Sequence, residues 1–251
     1  MNPPQVFQQL SQTEPFFTVS SSRKYRVKRM HNEDRLRFWR EGREFVEHML
    51  KAVAVDSFSS VLDYGCGIGR LLRCMVPCAT QAHGVDISPA LLEKAASECP
   101  SATLHHYEQW QASPPVVEFC YSAIVFQHIP EPQGLAILEK LLNHTQKACA
   151  LHIVVGDPRH WSIRLLFRLS FAPVFAGLSN WLRGRSWNEP RIPMFCWDIN
   201  KVKAVFERTG FDLELHDAPG CAEPWESYLF VGRKRSDANR GPTATHDSAG
   251  D

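Results

Sequence analysis

The chain has 251 residues, a length that suits one α/β domain with an elaboration, and its 44% hydrophobic content supports a sizeable core. A formal net charge of +1 leaves no global field to draw it to nucleic acid. The sequence has no apolar run of about 18 residues to span a bilayer. Its eight cysteines are scattered with no Cys-x-x-Cys pair, so reduced apolar fillers are expected and no metal centre is.

In chain order, residues 1–22 are polar, rich in Gln, Ser and Pro, and are expected to be disordered. They hold no apolar signal core, so a cytoplasmic location is expected, with peripheral membrane contact left open. One domain is expected over 23–235, and a disordered polar tail over 236–251. Residues 23–51 are strongly charged but periodic, with Leu36, Trp39, Val46, Met49 and Leu50 as an apolar stripe, so a helix is expected to lead into the sheet. Strands are expected at 60–64, 82–86, 102–106, 121–126 and 149–155, with helices over 69–76, 89–99 and 131–143 between them. Ser88-Pro89 reads as an N-cap followed by proline in the first helical position. A helix at 198–209 ending before Gly210, and two strands at 211–216 and 227–231, complete the domain. Such strand–helix alternation implies a doubly wound parallel sheet with helices on both faces.

The chemistry concentrates in Val61-Leu62-Asp63-Tyr64-Gly65-Cys66-Gly67-Ile68-Gly69-Arg70 and in Gly84-Val85-Asp86-Ile87-Ser88. A buried strand, a glycine turn, a helix and a second strand ending in an acid is how a doubly wound sheet grips an adenosine cofactor. The glycines let the backbone approach a ligand, and the Asp86 carboxylate can accept from both ribose hydroxyls. A nicotinamide fingerprint spaces its glycines differently and would place Gly or Ala where Arg70 stands. Asp63, two residues before the first glycine, suits an ammonium and would repel a pyrophosphate.

This pattern resembles motif I of the class I S-adenosylmethionine-dependent methyltransferases, acid-x-Gly-x-Gly-x-Gly. The resemblance implies a mostly parallel seven-stranded sheet closed by an antiparallel hairpin, and S-adenosylmethionine as cofactor. It covers residues 58–156 well and 197–233 more loosely. By that likeness Gly65, Cys66, Gly67 and Gly69 pass under the methionine and ribose, and Asp63 orients the methionine ammonium. Ile87 packs on the adenine, Tyr107 is a candidate to stack on it, and Phe126 flanks the sulfonium. The segment ending Gln127-His128-Ile129-Pro130 is similar to a motif of one broad methyltransferase branch, with Glu118 where that branch has Asp. His128 is the candidate general base; packing of the turn is its competing reading. Tyr25, Arg26, Arg37 and Trp39 are candidates to fold over the cofactor.

The stretch 158–195 is an insert after the fifth strand. Between Asp157 and Glu189 it has no acid, and Arg159, Arg164, Arg168, Arg183 and Arg185 lie there among large apolar and aromatic residues. Three readings stay open: a lid over the acceptor, a membrane contact, or a homodimer interface. The expected activity is methyl transfer to oxygen or nitrogen of a small-molecule or lipid-like acceptor, with nucleic acid disfavoured. A non-catalytic cofactor-binding or scaffold subunit and a nicotinamide oxidoreductase are the alternatives.

Overall fold

The computed structural model describes residues 3–155, 192–195, 197–218 and 226–235. Two short N-terminal helices, α1 (Pro3–Thr13) and α2 (Pro15–Ser20), precede a long one, α3 (Asn32–Val53). There follow β1 (Phe58–Tyr64), α4 (Leu72–Met75), β2 (Ala79–Asp86), α5 (Pro89–Glu98), β3 (Thr103–His106), α6 (Tyr107–Ala112) and β4 (Val117–Ala123). After them come α7 (Glu131–Asn143), β5 (Thr145–Val155), α8 (Ile199–Arg208), β6 (Phe211–Asp217) and β7 (Glu226–Lys234).

The strands form one seven-stranded sheet in the order β3-β2-β1-β4-β5-β7-β6. Strands β1 to β5 pair in parallel, and β7 inserts antiparallel between β5 and β6. The closing hairpin expected from Gly210 onward is therefore present. Val61, Leu62, Cys120, Cys149 and Leu151 are buried, as central parallel strands covered on both faces require. The cysteines here are free thiols serving as small apolar groups. Ser88 caps α5 as expected, its hydroxyl accepting from the Leu91 amide at 3.4 Å.

Three expectations are corrected. Residues 1–22, expected to be disordered, form α1 and α2 from residue 3 onward. Val6 and Leu10, one turn apart, are buried together with Phe17, and Ser11 Oγ meets Ser88 Oγ at 2.6 Å. The apolar face is narrow, so polar composition concealed it. In α3 the buried face is Phe38, Gly42, Val46, Met49 and Val53; of the expected stripe Val46 and Met49 are buried, Trp39 and Leu50 are half-buried and Leu36 is outside. Leu36 is 71% exposed, because it lies two residues before Phe38 and therefore about 200° around the helix from the buried face. The fourth strand ends at Ala123, three residues earlier than expected, because Ile124 turns the chain in a left-handed conformation (φ 59°).

Two layers of core flank the sheet, and Trp197 anchors one of them. It is fully buried, its indole nitrogen donates to the Ile129 carbonyl at 3.2 Å, and its ring meets Phe126 edge-on at 5.3 Å. Gly134 on α7 leaves the space the indole fills. Trp197→Ala is expected to destabilise the protein by about 3–5 kcal/mol, the usual cost of emptying an aromatic site. Urea unfolding checks this; a loss under about 1 kcal/mol would mean that the core does not close on this ring.

Candidate active site

A cavity of about 1150 Å³ opens over the carboxyl ends of β1, β2 and β4, where open α/β sheets bind ligands. Asp63, Gly65, Cys66, Gly67, Asp86, Ile87, Tyr107 and His128 all line it. The sequence thus brought most of its candidates to one place.

The glycine turn forms its floor. Gly65 has φ 79° and Gly67 φ 55°, conformations that side chains resist. Both also lie against neighbours: a Cβ on Gly65 would run into Val125, and one on Gly67 would approach Val19 Cγ2 to 2.7 Å. Val19 belongs to α2, so the N-terminal segment packs down on the turn. Gly69 does not line the cavity. A Cβ there would lie 2.8 Å from Cys99 Sγ, so this third glycine lets the turn pack against α5.

Asp86 ends β2 with both carboxylate oxygens engaged. The Gly67 amide donates to Oδ2 at 2.9 Å and the Ser88 amide to Oδ1 at 2.9 Å. Burial raises its pKa, and those two amide bonds oppose the rise. Each oxygen keeps a further lone pair for a ligand hydroxyl. Ile87 follows, its carbonyl taken by His106 Nε2 at 3.1 Å.

Asp63 is more extreme. It is 2% exposed, and its Oδ2 has no hydrogen-bond partner. Burial pushes its pKa up to about 8; the Asp86 charge adds to this and the Tyr121 hydroxyl opposes it. A buried carboxyl lacking a cation is costly unless a ligand supplies one. This orphaned oxygen, beside a glycine floor and a second acid, fits the cationic amino-acid end of S-adenosylmethionine.

His128 lies in a single 3-10 turn (Phe126–His128) after β4. Its Nδ1 is 2.6 Å from the Pro193 carbonyl, and Phe7 of α1 packs on the ring at 5.1 Å. A carbonyl only accepts, so Nδ1 carries the proton and Nε2 keeps a free lone pair. Burial pushes its pKa down to about 4, against the Pro193 bond.

Phe126 is a correction. It is fully buried, stacked near Tyr64 (5.8 Å) and edge-on to Trp197, and does not line the cavity. The turn at Ile124 reverses the expected facing, so Ile124 and Val125 face the cavity instead. Of the residues expected to fold over the cofactor, Tyr25 lines the cavity and Arg26, Arg37 and Trp39 do not. Arg26 turns to Glu14 (3.7 Å), and Trp39 lies under Arg73 (4.6 Å). Glu118 lies within β4, bound to the Ser59 amide at 2.9 Å and to Lys147, and holds strands together away from the cavity. Sequence reasoning missed Lys24, Glu41 and Arg70, which converge from three segments. The insert readings fall on residues outside those described, apart from 192–195.

Comparisons with known proteins agree with this geometry. A family model described as a methyltransferase domain matches residues 31–216. No curated protein sequence matches the chain. Among solved structures, the chain is similar to magnesium protoporphyrin IX methyltransferase from Synechocystis with bound SAH. The TM-score is 0.61 at 14% identity, covering 92% of this chain and 99% of that one. A TehB-like SAM-dependent methyltransferase from Corynebacterium glutamicum matches with TM-score 0.51 and 17% identity, over 81% of this chain and 97% of that one. An S-adenosylmethionine-dependent methyltransferase from Clostridium acetobutylicum matches with TM-score 0.54 and 11% identity, over 79% and 92%. At such identities these structures establish the shared fold alone. The family match spans well over half of the chain, and the chain therefore belongs to the methyltransferase-domain family, as a class I enzyme dependent on S-adenosylmethionine.

Proposed function

We propose that this enzyme methylates an oxygen or nitrogen of a small-molecule or lipid-like acceptor. The observation that carries the reading is the cavity's size. At about 1150 Å³ it exceeds the roughly 300–1,000 Å³ of common small-ligand pockets, which leaves room for a cofactor and a small acceptor together. The near-neutral net charge of +1 supports no polyanionic acceptor.

Asp63 would hold the methionine ammonium, Asp86 the ribose hydroxyls, and Ile87 and Tyr107 the adenine, with Gly65, Cys66 and Gly67 beneath. When bound, S-adenosylmethionine supplies a methyl carbon made electrophilic by its sulfonium. Ile124 and Val125, at the end of β4, would bound the space where the acceptor meets it. His128 Nε2 would accept a hydrogen bond from the acceptor and fix its approach, which is a positioning contribution to the rate. With its pKa near 4 the imidazole is neutral throughout the physiological range and only weakly basic.

The test uses methyl-labelled S-adenosylmethionine with phenols, amines, carboxylic acids and lipid extracts, beside protein and nucleic acid fractions. Label is expected in a small molecule or lipid; label only in protein or nucleic acid overturns the reading. With that acceptor, His128→Leu is expected to lower kcat about 10–100-fold. The wild-type kcat is expected to show no inflection between pH 5.5 and 7.5 from this imidazole; a step near pH 6.5 that His128→Leu removes would refute the neutral, positioning role.

A further inference from the structure

Among the described residues lining the cavity, two carry fixed positive charge, and both reach one carboxylate. Lys24 Nζ lies 2.9 Å from Glu41 Oε1, and Arg70 Nη2 lies 3.5 Å from Glu41 Oε2. The Tyr25 hydroxyl donates to the same Oε2 at 2.7 Å. Glu44, the next acid along this wall, pairs with Arg40 at 3.7 Å. Both cations thus converge on the single carboxylate of Glu41, which cannot neutralise the two of them.

Arg70 is placed by more than charge. Its Nε donates to the Phe38 carbonyl at 3.0 Å, and its guanidinium lies 4.6 Å from the Phe38 ring centre. Gly42 makes way for it, since a Cβ there would come within 2.8 Å of Arg70 Cγ. A guanidinium has five N–H donors, and these contacts use only some of them. Stability does not explain the second cation. Lys24 and Glu41 are about a third exposed (34% and 35%), and such pairs contribute about 0–1 kcal/mol.

The amino-acid end of the cofactor carries an ammonium and a carboxylate on one carbon. Asp63 answers the ammonium alone. We propose that Lys24 and Arg70 form a clamp for the cofactor's carboxylate, with Glu41 holding both cations in place for it. The clamp rests on the cofactor assignment above. It makes the amino-acid end a determinant of ligand choice and takes one of its two arms from the N-terminal segment.

Calorimetric titration with S-adenosylhomocysteine and with 5′-methylthioadenosine, which lacks the amino-acid end, separates the possibilities. Lys24→Met is expected to weaken S-adenosylhomocysteine about 10–30-fold, the worth of one charge-assisted hydrogen bond. The affinity for 5′-methylthioadenosine is expected to stay within about twofold. Lys24→Arg restores most of the loss, and Arg70→Gln shows the same split between ligands. Unchanged S-adenosylhomocysteine affinity in Lys24→Met, or an equal loss for both ligands, overturns the clamp. If the wild-type protein binds neither ligand, the cofactor assignment fails, and the clamp with it.

Discussion

Asp86→Ala is expected to weaken S-adenosylhomocysteine binding by about 100–1,000-fold. Two hydroxyl bonds to a carboxylate are worth about 1.5–3 kcal/mol each, and every 1.4 kcal/mol is tenfold in affinity. The same carboxylate also receives the Gly67 and Ser88 amides, both at 2.9 Å. Alanine would leave those amides without their acceptor and loosen the turn that carries the ligand. Asp86→Asn should recover little, because one of its two terminal atoms becomes a donor facing donors. Isothermal calorimetry on the folded variants decides the matter. An affinity within about threefold of wild type would remove Asp86 from the ribose site.

The second large effect is a proton released when the cofactor's amino-acid end binds. In the free protein burial raises Asp63 to about pH 8, so at pH 7 its carboxyl is largely protonated. An ammonium against Oδ2 favours the ionised form and drives that pKa below 7. Binding at pH 7 is then expected to release close to one proton, seen as a dependence of the calorimetric heat on buffer ionisation enthalpy. Affinity rises by up to about tenfold per unit between pH 6 and 8. At higher pH the ligand's own amine deprotonates in turn and the curve turns over. Asp63→Asn is expected to abolish the proton release and weaken binding by about 100-fold at pH 8.

The stability sign runs the other way. The unfolded carboxyl ionises above about pH 4, the folded one only near 8. The unfolded state therefore gives up its proton first, and stability falls as pH rises between the two. Asp63→Asn should make the free protein more stable at neutral pH, by about 1–3 kcal/mol, while impairing binding. Heats identical in all buffers would mean that Asp63 does not meet the ammonium.

The sequence alone determined the parts that depend on neighbours along the chain. Alternating strand and helix signals, the Ser88 cap and the acid–glycine spacing from Asp63 to Gly69 are all local, and the backbone follows them. The two acids ending β1 and β2 reach one cavity because parallel strands place their carboxyl ends side by side. Tertiary structure decided the rest. Ile124 takes a conformation unfavourable for a β-branched residue, with its amide bonded to the His152 carbonyl at 3.1 Å; no local signal announces that turn. It buried Phe126 and presented Val125 instead. The N-terminal helices looked disordered because Val6, Leu10 and Phe17 are few, and a narrow apolar face folds only where a surface awaits it. Lys24, Glu41 and Arg70 meet across three segments, a convergence of charges that only the folded chain produces.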